Sequence, residues 1–142
     1  MRIYEILPGK LYQSGEFRKL PIDEKLHSLG KYGIDTVVNL YKNEDNELKE
    51  YLYEYIYNPL SDGKNFDSEQ VMEIVETITD IIMGGHKVLV HCHVGRNRSG
   101  LINALVVMQV ARCTGDEAIR IVRKARPRAI DNDEFERFIR EL

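Results

Sequence analysis

The sequence predicts an α/β fold with a central, largely parallel sheet of about four or five strands flanked by helices. The first observation is that short apolar runs, typical of buried strands, alternate with longer stretches of helical periodicity. Strands separated by helices pair in parallel, because a parallel connection needs a long crossover. The second observation is that no repeat, low-complexity tract or Pro/Gly/Ser-rich linker divides the 142 residues. We therefore expect residues 1–142 to form a single domain.

Individual strands and helices follow from periodicity and capping residues. Strands are predicted at residues 34–40, 51–57 and 86–91. Helices are predicted at residues 22–32, at 68–83 behind a cap at Asp67 or Ser68, at 98–112, from Gly115 to shortly before Pro127, and after a cap at Asn132 or Asp133. The polar stretch 43–50 is expected to be a short helix or a loop. Helices therefore accumulate towards the C-terminal end of the chain.

Composition limits the classes of function. With 43% hydrophobic and 30% charged residues, the chain is typical of an ordered globular protein. Its net charge of −3 argues against binding nucleic acid or an anionic membrane over the whole surface. Only two cysteines occur and the N-terminus lacks a long apolar segment, so we expect an intracellular, cytoplasmic protein in a reducing compartment. No membrane span is expected.

The stretch from His91 to Gly100, His-Cys-His-Val-Gly-Arg-Asn-Arg-Ser-Gly, carries the chemistry. Cys92 directly follows a predicted buried strand, and a predicted helix begins six residues later. The amides of residues 93–98 can therefore turn inward, towards the point at which the positive end of the helix is aimed. Such a concavity binds a dianionic phosphate without a metal or cofactor. The same field stabilises the thiolate of Cys92, which is the predicted nucleophile.

Other residues of this loop have predicted roles of their own. Gly95 permits the backbone conformation and the close approach of phosphate oxygens. Arg98 clamps two of those oxygens with its planar guanidinium, and Ser99 donates its hydroxyl to the sulfur. His91 is expected to hold the loop. The predicted phosphate-binding positions are His93, Val94, Gly95, Arg96, Asn97 and Arg98.

The pattern His91-Cys92-x-x-Gly95-x-x-Arg98-Ser99 resembles the signature loop of the protein tyrosine phosphatase superfamily, and the short chain resembles its small dual-specificity branch. Residues 11–15, 34–40 and 118–130 resemble further segments of that branch. The resemblance implies a phosphatase-type fold. It also implies hydrolysis of phosphomonoesters in phosphorylated proteins or peptides through a phosphocysteine, with phosphotyrosine first and phosphoserine or phosphothreonine as further candidates.

The resemblance also implies a general acid, an Asp on a loop roughly thirty residues before the cysteine. Asp62 lies thirty positions before Cys92, in the segment 58–65 that follows a predicted strand. Asp67 is the competing candidate. Its place directly before an apolar helical stripe favours a helix cap instead.

Several alternatives share the same loop. Asn97 is found in some members that act on RNA, so an RNA 5′-triphosphatase is one rival, although the net charge argues against it. A phosphoinositide phosphatase is a second rival, although the loop offers Arg96 and no lysine. A non-catalytic phosphate-binding module is the third, and the intact Cys92 and Arg98 argue against it. The preferred phosphate ester, the partner and the oligomeric state stay open.

Overall fold

A computed structural model describes residues 1–63 and 65–142 of the chain. Its five-stranded sheet has the order β1-β2-β5-β3-β4. The strands are β1 Ile3–Leu7, β2 Leu11–Ser14, β3 Thr36–Asn39, β4 Glu54–Tyr57 and β5 Val88–His91. The helices are α1 Ile22–Tyr32, α2 Asn46–Lys49, α3 Ser68–Met83, α4 Arg98–Ala111, α5 Gly115–Ala125 and α6 Asp133–Arg140. Only β1 and β2 pair antiparallel, so the predicted fold class is confirmed.

The central strand β5 brings three chain segments together at one edge of the sheet. His91, the last residue of β5, is in register with Ser14 at the end of β2 and with Asn39 at the end of β3. Because parallel strands end at the same edge, the residues that follow each strand meet there. The amide of Leu40 donates to the carbonyl of His91 at 2.9 Å.

Both faces of β5 are covered, which explains its unbroken apolar run. Val88 and Val90 pack into the larger core with α3, α4, α5 and α6, whereas Leu89 packs on the opposite face with residues of α1. All of residues 99–107 in α4 are buried. A helix enclosed on every side is a rigid support, so its N-terminus is held firmly behind the end of β5.

The predicted elements differ from the observed ones mainly at their ends. The predicted strand 51–57 is wrong in its first half, since β4 begins at Glu54. Its partner β3 begins at Thr36, which is in register with Glu54, and Tyr51 instead donates its amide to the carbonyl of Leu48 in a turn after α2. The β1–β2 hairpin was not predicted. The caps of α3 and α6 are Asp67 and Asn132, each a predicted candidate.

No helix in the described part of the chain is both long and apolar enough to cross a bilayer.

Candidate active site

Cys92 lies directly after β5, at the floor of a loop formed by residues 92–97. The residue is buried, with 2% of its surface exposed. Its sulfur lies 3.3 Å from the hydroxyl oxygen of Ser99, the second residue of α4. Ser99 is itself fully buried. The structure therefore places the predicted nucleophile and the predicted hydroxyl donor in contact beside the N-terminus of α4.

Gly95 fixes the shape of the loop. Its φ is +78°, a left-handed conformation that a residue with a side chain rarely adopts. A Cβ there would lie 2.6 Å from the carbonyl carbon of Ser14 and 2.7 Å from the amide nitrogen of Gly15. The loop and the segment after β2 can approach this closely only because residue 95 has no side chain.

Buried amide side chains hold the carbonyl of Gly95. Gln13 on β2 donates its Nε2 to this oxygen at 2.9 Å. Asn103 on α4 donates its Nδ2 to the Oε1 of Gln13 at 2.9 Å. Both side chains are fully buried, so the relay from α4 through β2 to the loop is shielded from water. Arg126 donates its Nε to the same carbonyl at 3.2 Å.

Sequence reasoning missed the relay of Gln13 and Asn103. The sequence indicates these two residues only by placing a polar side chain within a segment that is predicted or found to be buried. Asn103 interrupts the longest apolar run of the chain, and Gln13 lies among residues that the structure buries completely. Buried polar side chains are in most cases hydrogen-bonded, so a polar residue within a buried segment indicates a partner elsewhere in the fold.

Arg98, the first residue of α4, places its guanidinium between Leu60 and Tyr41. Its Nη1 donates to the carbonyl of Leu60 at 3.4 Å. Its Nε is buried and has no hydrogen-bond partner among the described residues. The guanidinium carbon lies 5.6 Å from the ring centre of Tyr41, and that ring stacks on His93 with centres 4.8 Å apart. A buried guanidinium donor without a partner is poised for an anion.

His91 is buried behind the loop and is uncharged at neutral pH. Burial lowers the pKa of His91 from about 6.5 to about 4, since the charged imidazolium would lose its hydration. The ring packs against Phe17 with centres 5.0 Å apart. This environment suits a residue that packs behind the loop better than one that exchanges protons.

Asp62 lies on the exposed loop after β4. Its Oδ1 accepts a hydrogen bond from the Nδ2 of Asn132 at 3.3 Å. Two residues earlier, the carbonyl of Leu60 accepts a hydrogen bond from Arg98, so the same loop contacts both Arg98 and the cap residue of α6. Lys64, which falls inside the predicted loop 58–65, lies outside the described residues. Asp67, the competing candidate, caps α3 by accepting from the amides of Glu69 and Gln70.

The side chains of Arg96 and Asn97 contact the connection between α5 and α6. Arg96 forms an ion pair with Asp131. The Oδ1 of Asn97 accepts from the amides of Asp131 and Asn132 at 2.9 and 3.2 Å. These two side chains therefore join the loop to a neighbouring segment, while His93 and Val94 are exposed.

A shallow cleft of about 320 Å³ adjoins the loop. Val94 of the loop and Gly15 after β2 line it on one side, and Tyr4, Phe17 and Leu20 supply apolar surface. Arg2 and Glu16 also line it, so the cleft combines apolar surface with charges of both signs.

A central parallel strand, a cysteine at its end, and an arginine at the start of the next helix are together typical of cysteine-dependent phosphatases. The dual specificity phosphatase catalytic domain family matches residues 21–142, and the chain belongs to this family.

Individual proteins of known sequence or structure are similar to this chain as well. Human dual specificity protein phosphatase 1 is 31% identical over 99 residues, covering 69% of this chain and 27% of that protein. The crystal structure of Tk-PTP in its active form superposes with a TM-score of 0.81 at 27% identity, covering 99% of this chain and 95% of that one. The first curated relatives are much longer proteins, and the matched part of this chain spans 17% of their length or less.

Proposed function

We propose that this chain hydrolyses phosphomonoesters in phosphorylated proteins or peptides, with phosphotyrosine first and phosphoserine or phosphothreonine as further substrates. The observation that carries the proposal is the Cys92–Ser99 contact of 3.3 Å at the N-terminus of α4, whose first residue, Arg98, has a buried Nε without a partner among the described residues. In the proposed site, the sulfur nucleophile, its hydroxyl partner and the guanidinium of Arg98 act on one phosphate group.

In the first step, the thiolate of Cys92 attacks phosphorus in line with the leaving oxygen. An S–P bond forms while the P–O bond breaks, and the electron pair of that bond goes to the leaving oxygen. Asp62 gives this oxygen its proton. Arg98 and the amides of residues 93–98 bind the other three phosphate oxygens, whose charge they stabilise in the transition state.

In the second step, water attacks the phosphocysteine. Asp62, now a carboxylate, takes a proton from that water as the new P–O bond forms. The S–P bond breaks, and its electron pair returns to the sulfur of Cys92. The hydroxyl of Ser99 donates to this sulfur, which makes it a better leaving group. Inorganic phosphate leaves and both groups regain their starting states.

The surroundings of the loop support a protein substrate. Tyr41 and the exposed His93 offer aromatic surface next to Arg98, where the ring of a phosphotyrosine could pack. The cleft beside Val94, which is partly apolar and partly charged, could take a neighbouring residue of the same peptide. A reducing, intracellular compartment belongs to the proposal, because Cys92 must stay a free thiol and both cysteines of the structure are unpaired.

A parallel assay of four substrates tests the proposal: a phosphotyrosine peptide, a phosphothreonine peptide, a 5′-triphosphorylated RNA and a phosphoinositide. We expect the highest kcat/KM on the phosphotyrosine peptide. Rates on RNA or lipid above those on both peptides would overturn the substrate assignment.

The Cys92→Ser variant is the control for the nucleophile. It should bind phosphate but lose turnover on every substrate, because serine offers no thiolate at neutral pH. Hydrolysis by this variant at the original rate would overturn the mechanism itself.

A further inference from the structure

Asn132 occupies a fixed place at the start of α6. Its side-chain Oδ1 caps the helix by accepting from the amides of Glu134 and Phe135 at 2.9 and 3.3 Å. These two bonds set the plane of the side-chain amide. With Oδ1 committed to the helix, the Nδ2 donor is directed away from it, towards Asp62.

The loop of residues 92–97 holds the backbone of Asn132 as well. The Oδ1 of Asn97 accepts hydrogen bonds from the backbone amides of Asp131 and Asn132. Arg96 adds an ion pair with Asp131. Asn132 is thus fixed from two directions, by its own helix and by the loop that carries Cys92.

Asp62 needs such a fixed partner. Its side chain is exposed, and a free carboxylate on a loop samples several rotamers. Among the residues that the structure describes, the bond from Asn132 at 3.3 Å is the one side-chain hydrogen bond of Asp62. An amide nitrogen only donates, so the oxygen that it contacts, Oδ1, must accept. The transferable proton is therefore assigned to the other oxygen, Oδ2.

We propose that Asn132 is the positioning residue of the general acid. It holds Asp62 in one orientation relative to the loop of Cys92 and keeps the proton on Oδ2, which faces the leaving group in the first step and water in the second. The inference rests on the proposed role of Asp62 as acid and base. It adds to that role a link from Asn97 through Asn132 to Asp62.

Two substitutions separate this role from helix capping. Asn132→Asp and Asn132→Ser both keep an oxygen that can cap α6, since Asp and Ser are favoured caps. Both remove the amide donor to Asp62. Neither changes the backbone amide that binds Asn97.

The readout is kcat/KM for two aryl phosphates, phenyl phosphate and 4-nitrophenyl phosphate. Phenoxide is a poor leaving group and needs the proton, whereas 4-nitrophenoxide departs readily without it. We expect both Asn132 variants to lose about tenfold in kcat/KM on phenyl phosphate, a fraction of the roughly hundredfold or more that a general acid contributes. On 4-nitrophenyl phosphate the loss should stay within about twofold, and inhibition by inorganic phosphate should be unchanged, because Arg98 and the loop are intact.

Asp62→Asn and Thr114→Ala serve as controls. Asp62→Asn should show the same selective loss to a greater extent. Thr114→Ala removes the remote cap of α5, where the hydroxyl accepts from the amide of Glu117, and should lower stability without any dependence on the leaving group.

The outcomes are distinguishable. Equal losses on both esters in the Asn132 variants, together with a selective loss in Asp62→Asn, would overturn the inference and leave the proposed function standing. The absence of a selective loss in Asp62→Asn itself would overturn the acid assignment, and the inference with it.

Discussion

The hydroxyl of Ser99 lies 3.3 Å from the sulfur of Cys92, and both groups are buried at the N-terminus of α4. The contact joins the end of the central strand to the start of the next helix. Because both groups are buried and α4 is enclosed by the core, the hydroxyl stays beside the sulfur and can stabilise its charge in both steps of the proposed reaction.

Replacing Ser99 by alanine should slow the breakdown of the phosphocysteine. A hydrogen bond to a charged group is worth about 1.5–3 kcal/mol, so kcat should fall by about ten- to a hundredfold. Formation of the intermediate should be much less affected, because the attacking sulfur and Asp62 remain. Rapid-mixing kinetics with 4-nitrophenyl phosphate should then show a burst of one equivalent of nitrophenol. A wild-type kcat without a burst would contradict the role of Ser99.

Replacing Gly95 by alanine should displace the loop. The new Cβ would lie 2.6 Å from the carbonyl carbon of Ser14, and the φ of +78° is strained for alanine. We expect kcat/KM to fall by more than about tenfold, since a shift of about 1 Å in a reacting geometry is costly. Gly30→Ala is the matched control, because a Cβ there meets nothing within 4 Å. It lies inside α1 and should stabilise the fold by about 0.5–1 kcal/mol without loss of activity.

His91 should make the stability of the fold depend on pH. Its pKa is about 6.5 in the unfolded chain and about 4 in the folded protein. Between these values the unfolded state binds more protons, so stability is complete above about pH 6.5 and is lost as the pH falls towards 4. The total loss amounts to about 3 kcal/mol.

Urea unfolding of the wild type and of His91→Asn checks this dependence. The variant should be less stable at pH 7 because a packed ring is lost, but its stability should fall less steeply between pH 6.5 and 4. The carboxylates titrate in both proteins, so the difference between the two curves isolates His91. Parallel curves would show that His91 does not titrate in this way.

Removing the side chain of Gln13 should make the loop of residues 92–97 less rigid. Gln13→Ala deletes one of the two donors to the carbonyl of Gly95 and leaves Nδ2 of Asn103 with the carbonyl of Tyr12, at 3.4 Å, as its remaining acceptor. We expect the free energy of unfolding to fall by about 1–3 kcal/mol, the cost of two lost buried hydrogen bonds, and inhibition by inorganic phosphate to weaken. A double-mutant cycle with Asn103→Ala measures the coupling, which should be at least about 0.5 kcal/mol if the relay acts as a unit. Strict additivity would show that the two amides act independently.

The sequence by itself determined the chemistry of the loop and the class of fold. Cys92, Gly95, Arg98 and Ser99 lie in one contiguous segment, where spacing along a strand, a turn and a helix dictates which groups face each other. Helical periodicity likewise predicted α1 at its observed bounds, and capping chemistry predicted Asp67. These features depend on local backbone geometry, which a short stretch of chain encodes.

Only the tertiary structure decided the supports of the site. Gln13 is hydrogen-bonded to Gly95 and to Asn103, which follow it in the sequence by 82 and 90 positions. Asn132 is hydrogen-bonded to Asp62, which lies 70 positions before it. The register of β2 beside β5 brings the first pair together, and the packing of α6 against the rest of the helical layer brings the last. Hydrophobic periodicity does not predict such pairings, because each depends on how separate elements pack against one another. The loop supplies the groups of the proposed reaction, and the packing of distant segments sets the geometry in which those groups are held.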